Sequence, residues 1–146
     1  MFTNIQVINT GNFKLDGGAM FGVVPKTIWS KTNPADENNM CSWAMRCLLI
    51  ESEKKKILID TGIGNKQNEK FFKYFYLHGD DSLLNSLENI QVSPNQITDV
   101  FFTHLHFDHC GGAVIKKPDS FELLFKNATH LTNKELWNLA NNPNNR

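Results

Sequence analysis

The chain has 146 residues, of which 40% are hydrophobic and 21% are charged, and its 15 basic side chains balance its 15 acidic ones. A domain of this size buries roughly 68% of the surface of its unfolded chain, which is enough for a core of its own. The zero net charge excludes the basic field that attracts nucleic acid or an anionic membrane. We therefore expect a small-molecule partner, with no nucleic acid and no membrane involved.

Two features of the sequence bear on its compartment. The chain has no run of about 18 apolar residues, and its N-terminus has no basic segment followed by an apolar one. Its cysteines are Cys41, Cys47 and Cys110, an odd number without a CxxC pair, which argues against a disulfide framework. We expect the protein to be cytoplasmic.

Strands are predicted to dominate the beginning of the chain. Residues 5–8 and 12–15 have the composition of two short strands joined at Thr10 and Gly11. Residues 42–51 and 56–60 predict a hairpin with a charged turn between its strands.

The segment between these strands is predicted to be irregular. Gly17, Gly18 and Gly22 mark a loop, and the polar residues 29–39 predict another. Met20 and Phe21 in the first loop are candidates for the wall of a pocket that contacts an acyl chain, with ordinary core packing as the alternative.

The second half of the chain alternates helices and strands. Apolar residues recur with helical spacing at residues 71–76 and 82–90, and residues 99–103 predict a buried strand. The remaining predictions are strands at residues 121–125 and 128–131, a helix from the cap Thr132 through Leu139 with Glu135 completing a capping box, and a final loop at residues 138–146.

Residues 104–109, with the sequence HLHFDH, hold three of the five histidines of the chain. In an extended segment His104 and His106 point to one side while Leu105 and Phe107 point to the other. Asp108 and His109 are adjacent and cannot share that side, so the backbone has to turn there, and the two glycines at 111 and 112 supply the freedom to turn. The spacing therefore predicts two pairs of metal ligands aimed at two nearby points.

The types of ligand indicate which metal these pairs bind. Neutral imidazole suits zinc, iron, nickel or copper, and the added carboxylate still favours transition metals over calcium or magnesium. We predict two zinc ions, with iron or manganese as alternatives. Two such cations would lower the pKa of a shared water from 15.7 toward ~7 and make it a nucleophile at neutral pH. Cys110 is a further possible ligand, although a small buried side chain is the preferred interpretation.

Four stretches of the sequence together resemble one known family. They are residues 15–26 (LDGGAMFGVVPK), 45–51 (MRCLLIE), 57–64 (ILIDTGIG) and 103–112 (THLHFDHCGG). The last of these resembles the signature loop of the metallo-β-lactamase superfamily, and the first is similar to quorum-quenching N-acyl-homoserine lactonases. The resemblance implies an α/β fold (α+β), the αββα sandwich of two sheets, with residues 1–146 as about its N-terminal half.

The resemblance also implies roles for individual residues. His104 and His106 would bind one metal, and Asp108 and His109 the other. Asp108 would in addition be the catalytic proton donor to the leaving alcohol. Asp60 would hold a metal ligand in place without itself binding the metal. Met20 and Phe107 would contact substrate.

The family supplies a further His, a bridging Asp and a last His well after the first motif. Downstream of His109 this chain offers only a few side chains of the ligand types: Asp119, Glu122, His130 and Glu135. His130 falls too early for the third ligand, and we predict a structural role for it. We therefore expect the chain to be the N-terminal portion of a longer enzyme, clipped or split, whose partner is the missing C-terminal half.

These implications leave several functions open. The leading hypothesis is a dinuclear metallo-hydrolase that opens the lactone ring of N-acyl homoserine lactones with a metal-bound hydroxide. A thioesterase of the glyoxalase II kind or a phosphoesterase would use the same ligands. A mononuclear iron oxygenase is an alternative of another class. The last alternative is a fragment that is inactive without its missing half.

Overall fold

A computed structural model describes residues 2–143. It contains seven strands, which are β1 (Phe2–Asp16), β2 (Met40–Ser52), β3 (Lys56–Ile59), β4 (Asp99–Phe101), β5 (Val114–Lys116), β6 (Phe121–Leu123) and β7 (Thr129–Leu131). Its six α-helices are α1 (Gly17–Phe21), α2 (Lys26–Trp29), α3 (Glu69–Phe75), α4 (Leu83–Asn89), α5 (Phe107–Cys110) and α6 (Lys134–Asn141), and short 3-10 helices occur at Pro94–Gln96 and Gly111–Ala113. This mixture of α and β structure confirms the predicted fold class. None of the helices in residues 2–143 is long and apolar enough to cross a membrane.

The main sheet has five strands in the order β1-β2-β3-β4-β7, and β5 pairs with β6 in a separate hairpin. The first three strands are antiparallel, whereas β3, β4 and β7 run parallel. Parallel neighbours end at the same edge of a sheet. The segments that follow β3 and β4 therefore leave the sheet side by side.

Several predicted elements are confirmed. The hairpin of β2 and β3, the helices α3 and α4, and the strands β4, β6 and β7 occur where the sequence predicts them, although most are shorter. Ser82 caps α4, because its hydroxyl oxygen accepts a hydrogen bond from the Asn85 amide at 3.2 Å.

The first two predicted strands are in fact one strand. β1 runs unbroken past Gly11, and its pairing with β2 shifts register between Asn9 and Asn12. Gly11 has a φ of 100°, a conformation that glycine adopts readily. The predicted turn is therefore a bulge inside a continuous strand.

Two helix starts differ from the predictions because of capping side chains. The first predicted glycine loop begins with α1, whose start is fixed by Asp16 accepting a hydrogen bond from the Ala19 amide at 2.8 Å. The last helix is capped by Asn133, which accepts from the Leu136 amide at 2.8 Å, so the predicted cap at Thr132 is wrong. Of the predicted C-terminal loop, residues 144–146 lie outside the described residues.

One face of the main sheet forms the core. It packs on α4 and the neighbouring loops, and its largest fully buried side chains are Ile8, Leu49, Leu58, Leu87, Ile97, Val100 and Phe125. The opposite face is also apolar but is left uncovered. This open face consists of Ile5, Val7, Leu48, Ile50, Ile57, Ile59, Phe101 and Leu131. Ile5 is 63% exposed and Val7 is 60% exposed, so these large apolar side chains of the edge strand β1 are open to solvent.

The two glycines after α5 have a different role from the predicted one. Gly111 has ordinary helical backbone angles, with φ −58° and ψ −41°. A Cβ on Gly111 would lie 2.2 Å from the carbonyl oxygen of Ile63, and one on Gly112 would lie 2.2 Å from that of Thr61. Glycine is required here because two backbone segments approach closely, and the prediction that it allows the chain to turn is wrong.

Gly111→Ala and Gly112→Ala should each destabilise the fold by at least about 2 kcal/mol, because the added methyl meets backbone that is held in place. Urea unfolding followed by circular dichroism measures this change. Gly18→Ala is the matched control, since a Cβ there would meet only side-chain atoms, the nearest at 3.0 Å, and no backbone. Equal unfolding midpoints for the three variants would contradict the explanation.

Candidate metal centre

The candidate metal centre lies where β3 and β4 end together. Asp60 directly follows β3, and its amide donates a hydrogen bond to the Phe101 carbonyl of β4 at 2.9 Å. The HLHFDH motif begins three residues after β4 and continues into α5. Residues that are 43 or more positions apart in sequence thus meet at one edge of the sheet.

Asp60 is the buried anchor of this site, with only 6% of its surface exposed. One carboxylate oxygen accepts a hydrogen bond from the Thr103 amide at 2.8 Å. The other accepts from the Thr103 hydroxyl at 2.7 Å and lies 2.8 Å from Nδ1 of His109. Hydrogen bonds to a charged group contribute about 1.5–3 kcal/mol each. Asp60 also has a φ of 60°, so its position holds strained backbone that these contacts offset.

These contacts set the tautomers of two histidines. A carboxylate only accepts hydrogen bonds, so Nδ1 of His109 carries the proton and Nε2 keeps a free lone pair. Thr103 gives its single hydroxyl proton to Asp60, and its oxygen is then an acceptor for Nδ1–H of His104 at 3.1 Å. Asp60 therefore orients His109 directly and His104 through Thr103.

The predicted ligands are brought together as two pairs. Nε2 of His104 lies 3.0 Å from Nδ1 of His106. Nε2 of His109 lies 3.4 Å from a carboxylate oxygen of Asp108. The two pairs are adjacent, since the ring centroids of His104 and His109 are 4.0 Å apart.

The donor types and spacings fit zinc, although neither pair completes a site. Two nitrogens bound to one tetrahedral zinc at 2.0–2.1 Å lie about 3.3 Å apart, close to the separation within each pair. Among residues 2–143, no group of three or more His, Cys, Asp or Glu side chains is arranged to hold a metal ion. Each pair thus supplies two of the four donors that a zinc ion requires.

The surroundings favour the neutral state of one ligand. Burial lowers the pKa of His104 below its usual value, and the nearby His109 and His106 lower it further. Burial has the opposite effect on the thiol of Cys110, whose pKa is raised, so the thiol stays protonated near neutral pH. This agrees with Cys110 as a small packed side chain.

A second set of contacts, which the sequence analysis missed, holds the backbone at the end of the HLHFDH motif in place. The amide and hydroxyl of Thr61 donate to the His109 carbonyl at 2.7 and 3.0 Å, and the Gly112 amide donates to the Gly62 carbonyl at 2.9 Å. Lys66 also donates to the Gly111 carbonyl. The Asp-Thr-Gly turn after β3 thus fixes the backbone of α5, and the only sequence signal for it is that turn itself.

Phe107 and Met20, the two residues predicted to contact substrate, lie in different parts of the structure. Phe107 packs in an aromatic cluster, with its ring centroid 4.5 Å from that of Phe75 and 6.4 Å from that of Phe13. A cleft of about 150 Å³ beside Asp108 and His109 is lined in part by Phe13. Met20 is 47% exposed on α1 and is not among the described residues that line this cleft. The substrate roles of Met20 and Phe107 stay predictions.

The other two histidines lie away from the ligand pairs. His130 is in β7, where its ring stacks on Phe102 with a centroid distance of 6.1 Å. His78 donates from Nδ1 to the Tyr76 carbonyl at 2.8 Å and accepts at Nε2 from the Ser42 hydroxyl at 2.7 Å. Both have packing or hydrogen-bonding roles among the described residues.

Asp60→Asn should weaken zinc binding by about 10–100-fold, because the amide no longer enforces the tautomers of His104 and His109. Titration with a competing chelator measures the affinity. Asp99→Asn is the matched control, since Asp99 is also a buried carboxylate. It pairs with Lys55 at the beginning of β4, whereas the ligands follow the end of that strand. Equal zinc affinities for the two variants would show that Asp60 has no special part.

Comparisons with known proteins agree with this geometry. The sequence model of the metallo-beta-lactamase superfamily matches residues 46–115. The N-acyl homoserine lactonase of Bacillus thuringiensis is 31% identical over 93 residues, which cover 57% of this chain and 36% of that protein.

Two solved structures share the fold of nearly all of the chain. A probable metal-dependent hydrolase from Staphylococcus aureus is 37% identical with a TM-score of 0.88, and the match covers 97% of this chain and 50% of that one. AidC, a dizinc quorum-quenching lactonase in complex with a product, is 25% identical with a TM-score of 0.72, covering 99% of this chain and 48% of AidC. The chain spans half or less of the length of these relatives. The chain is thus similar to the metallo-β-lactamase superfamily in the sequence of residues 46–115 and in its fold.

Proposed function

We propose that the protein carrying this chain is a metal-dependent hydrolase that opens the lactone ring of N-acyl homoserine lactones. The observation that supports this most is the pairing of His104 with His106 and of His109 with Asp108 at distances suited to two zinc ions. The similarity to the Bacillus thuringiensis lactonase and to AidC supports the choice of a lactone as substrate.

The two metals, when bound, supply a hydroxide at neutral pH and polarise the lactone carbonyl. The protein residues orient the metal ligands and protonate the leaving alcohol. Asp60 holds His109 and, through Thr103, His104 with their free lone pairs directed away from the carboxylate. Asp108 lies at the start of α5 beside the cleft. Its carboxylate would take the proton of the hydroxide once this has added to the carbonyl, and would pass it to the alcohol oxygen that leaves when the ring C–O bond breaks.

Assays distinguish a lactone substrate from the other substrates that this type of metal centre hydrolyses. Thioesters and phosphodiesters are hydrolysed by the same type of dinuclear centre, and the substrate-binding loops decide between them. A mononuclear iron oxygenase would need one iron and no zinc. Elemental analysis of the protein separates this class from the hydrolases.

The open face supports a further part of this proposal. We infer that a second polypeptide segment, corresponding to the half of the Staphylococcus aureus hydrolase that this chain does not match, packs on the open face and supplies the remaining zinc ligands. Eight apolar side chains across five strands form a surface that is typical of the buried interface between two sheets. The chain alone should therefore bind zinc weakly and hydrolyse lactones slowly.

The native protein should hydrolyse N-hexanoyl homoserine lactone faster than a thioester or a phosphodiester of similar size. Asp108→Asn should lower kcat by at least about 100-fold, because it loses both a metal donor and the proton that the alcohol needs. Asp119→Asn is the control, since Asp119 lies in the turn between β5 and β6, outside the cleft. Absence of lactone turnover in the zinc-loaded native protein would defeat the lactonase proposal.

Purified alone, the chain should bind a hydrophobic dye such as anilinonaphthalene sulfonate at the open face and self-associate. Val7→Lys should reduce both, because it replaces an exposed apolar side chain of that surface with a charge. Val23→Lys is the matched control, since Val23 is 100% exposed but lies outside the open face. Fluorescence and analytical ultracentrifugation measure the two effects, and an equal response of both variants would contradict this use of the face.

A further inference from the structure

A serine and a histidine that have no part in the metal centre are hydrogen-bonded to each other. The hydroxyl of Ser42, on β2, lies 2.7 Å from Nε2 of His78, which is in the loop after α3. Nδ1 of the same ring lies 2.8 Å from the carbonyl oxygen of Tyr76, which can only accept a hydrogen bond. Nδ1 therefore carries the proton of the ring, and Nε2 has the lone pair that faces the Ser42 hydroxyl.

The backbone holds His78 in place independently of its side chain. The amide of His78 donates to the Asn12 carbonyl at 3.0 Å, and the amide of Asn12 donates to the His78 carbonyl at 2.9 Å. Tyr76, which supplies the orienting carbonyl, has a φ of 45°, a conformation that bulky residues rarely adopt. Strained backbone of this kind persists only where its surroundings impose it, and it is concentrated at functional sites. The loop thus directs the imidazole at Ser42 in spite of local strain.

The pair is accessible and has a cation beside it. Ser42 and His78 are both exposed. Lys14 of β1 is the cross-strand partner of Ser42, so the two side chains share one face of the sheet. The Lys14 ammonium group lies 5.9 Å from the centroid of the Tyr76 ring and pairs with Asp36 at 2.7 Å. A reagent can therefore reach the Ser42 hydroxyl, on a face of the sheet that also carries a positive charge.

We propose that Ser42 is a nucleophile activated by His78 and that it accepts acyl groups from esters with a good leaving group. A nucleophile, a base in contact with it and a third group that orients the base are the parts that such a site requires. The Ser42 oxygen bonds to the ester carbonyl carbon while Nε2 of His78 takes the hydroxyl proton. The bond to the leaving alcohol then breaks, and the alcohol takes that proton. Water, activated by the same base, hydrolyses the acyl-serine and restores both side chains. This site uses none of the four candidate metal ligands and does not depend on the lactonase proposal.

A fluorophosphonate probe tests the nucleophile directly, because the Ser42 oxygen would displace fluoride from phosphorus and form a stable bond. Peptide mass spectrometry of the treated native protein locates the label. Ser86 is the internal control, since its hydroxyl donates to the Asn9 carbonyl at 2.6 Å, and a carbonyl does not take up the proton. We expect Ser42 to be labelled at least about 100-fold faster than Ser86. Equal labelling of the two serines would overturn the proposal.

Replacement of the base tests the part of His78. His78→Gln should slow the labelling of Ser42 at least about tenfold, because an amide does not accept the proton, while the backbone contacts with Asn12 remain. His130→Gln is the matched control and should leave the labelling unchanged. Its ring stacks on Phe102, and its Nε2 has no hydrogen-bond partner among residues 2–143. Labelling of Ser42 that is as fast in His78→Gln as in the native protein would contradict the assignment of His78 as the base.

Unfolding the native protein gives a further test that needs no variant and so holds even if His78→Gln misfolds. In concentrated urea the contact between Ser42 and His78 is lost, and we expect Ser42 and Ser86 to be labelled at the same slow rate. A preference for Ser42 that persists in the unfolded chain would show that the local sequence causes it, and the proposal would then be wrong.

Discussion

The arrangement of the candidate metal centre depends on one buried carboxylate. Asp60 accepts hydrogen bonds from the amide and hydroxyl of Thr103 and from Nδ1 of His109. Each imidazole could bind a metal through either nitrogen, and an unfixed ring would have to be ordered at the time of binding. Through these contacts a single side chain decides which nitrogen of His104 and of His109 is free. The cost of burying this charge is offset because all of its partners are donors.

The same edge of the sheet is also fixed by backbone contacts that leave no room for side chains. The turn after β3 and the end of α5 approach so closely that only glycine fits at positions 111 and 112. Thr61 then donates twice to the His109 carbonyl. The imidazole of His109 is thus held at its ring by Asp60 and at its backbone by Thr61. This is the rigidity that a preorganised metal site requires.

The sequence pattern predicted part of the local geometry of the candidate ligands. Alternation along the motif predicts that Leu105 and Phe107 point away from His104 and His106, and the structure confirms that both pack in apolar clusters. The hydrogen bonds that connect Asp60 to His104 through Thr103 were not predictable in this way, because they depend on β3 and β4 being parallel neighbours. The bulge at Gly11 and the cap at Asn133 were missed because a single hydrogen bond or register shift decides each of them. The open face was missed because it is a property of five strands together.

The central claim is that Asp60 sets the tautomers of the two histidines before any metal binds. Nitrogen-15 NMR of the metal-free protein at about pH 8, where imidazole is neutral, measures this directly. We expect His104 and His109 to carry their protons on Nδ1, and Asp60→Asn to release both rings to a mixture of tautomers. Protonation at Nε2 of both rings, or identical spectra for the protein and the Asp60→Asn variant, would contradict the claim.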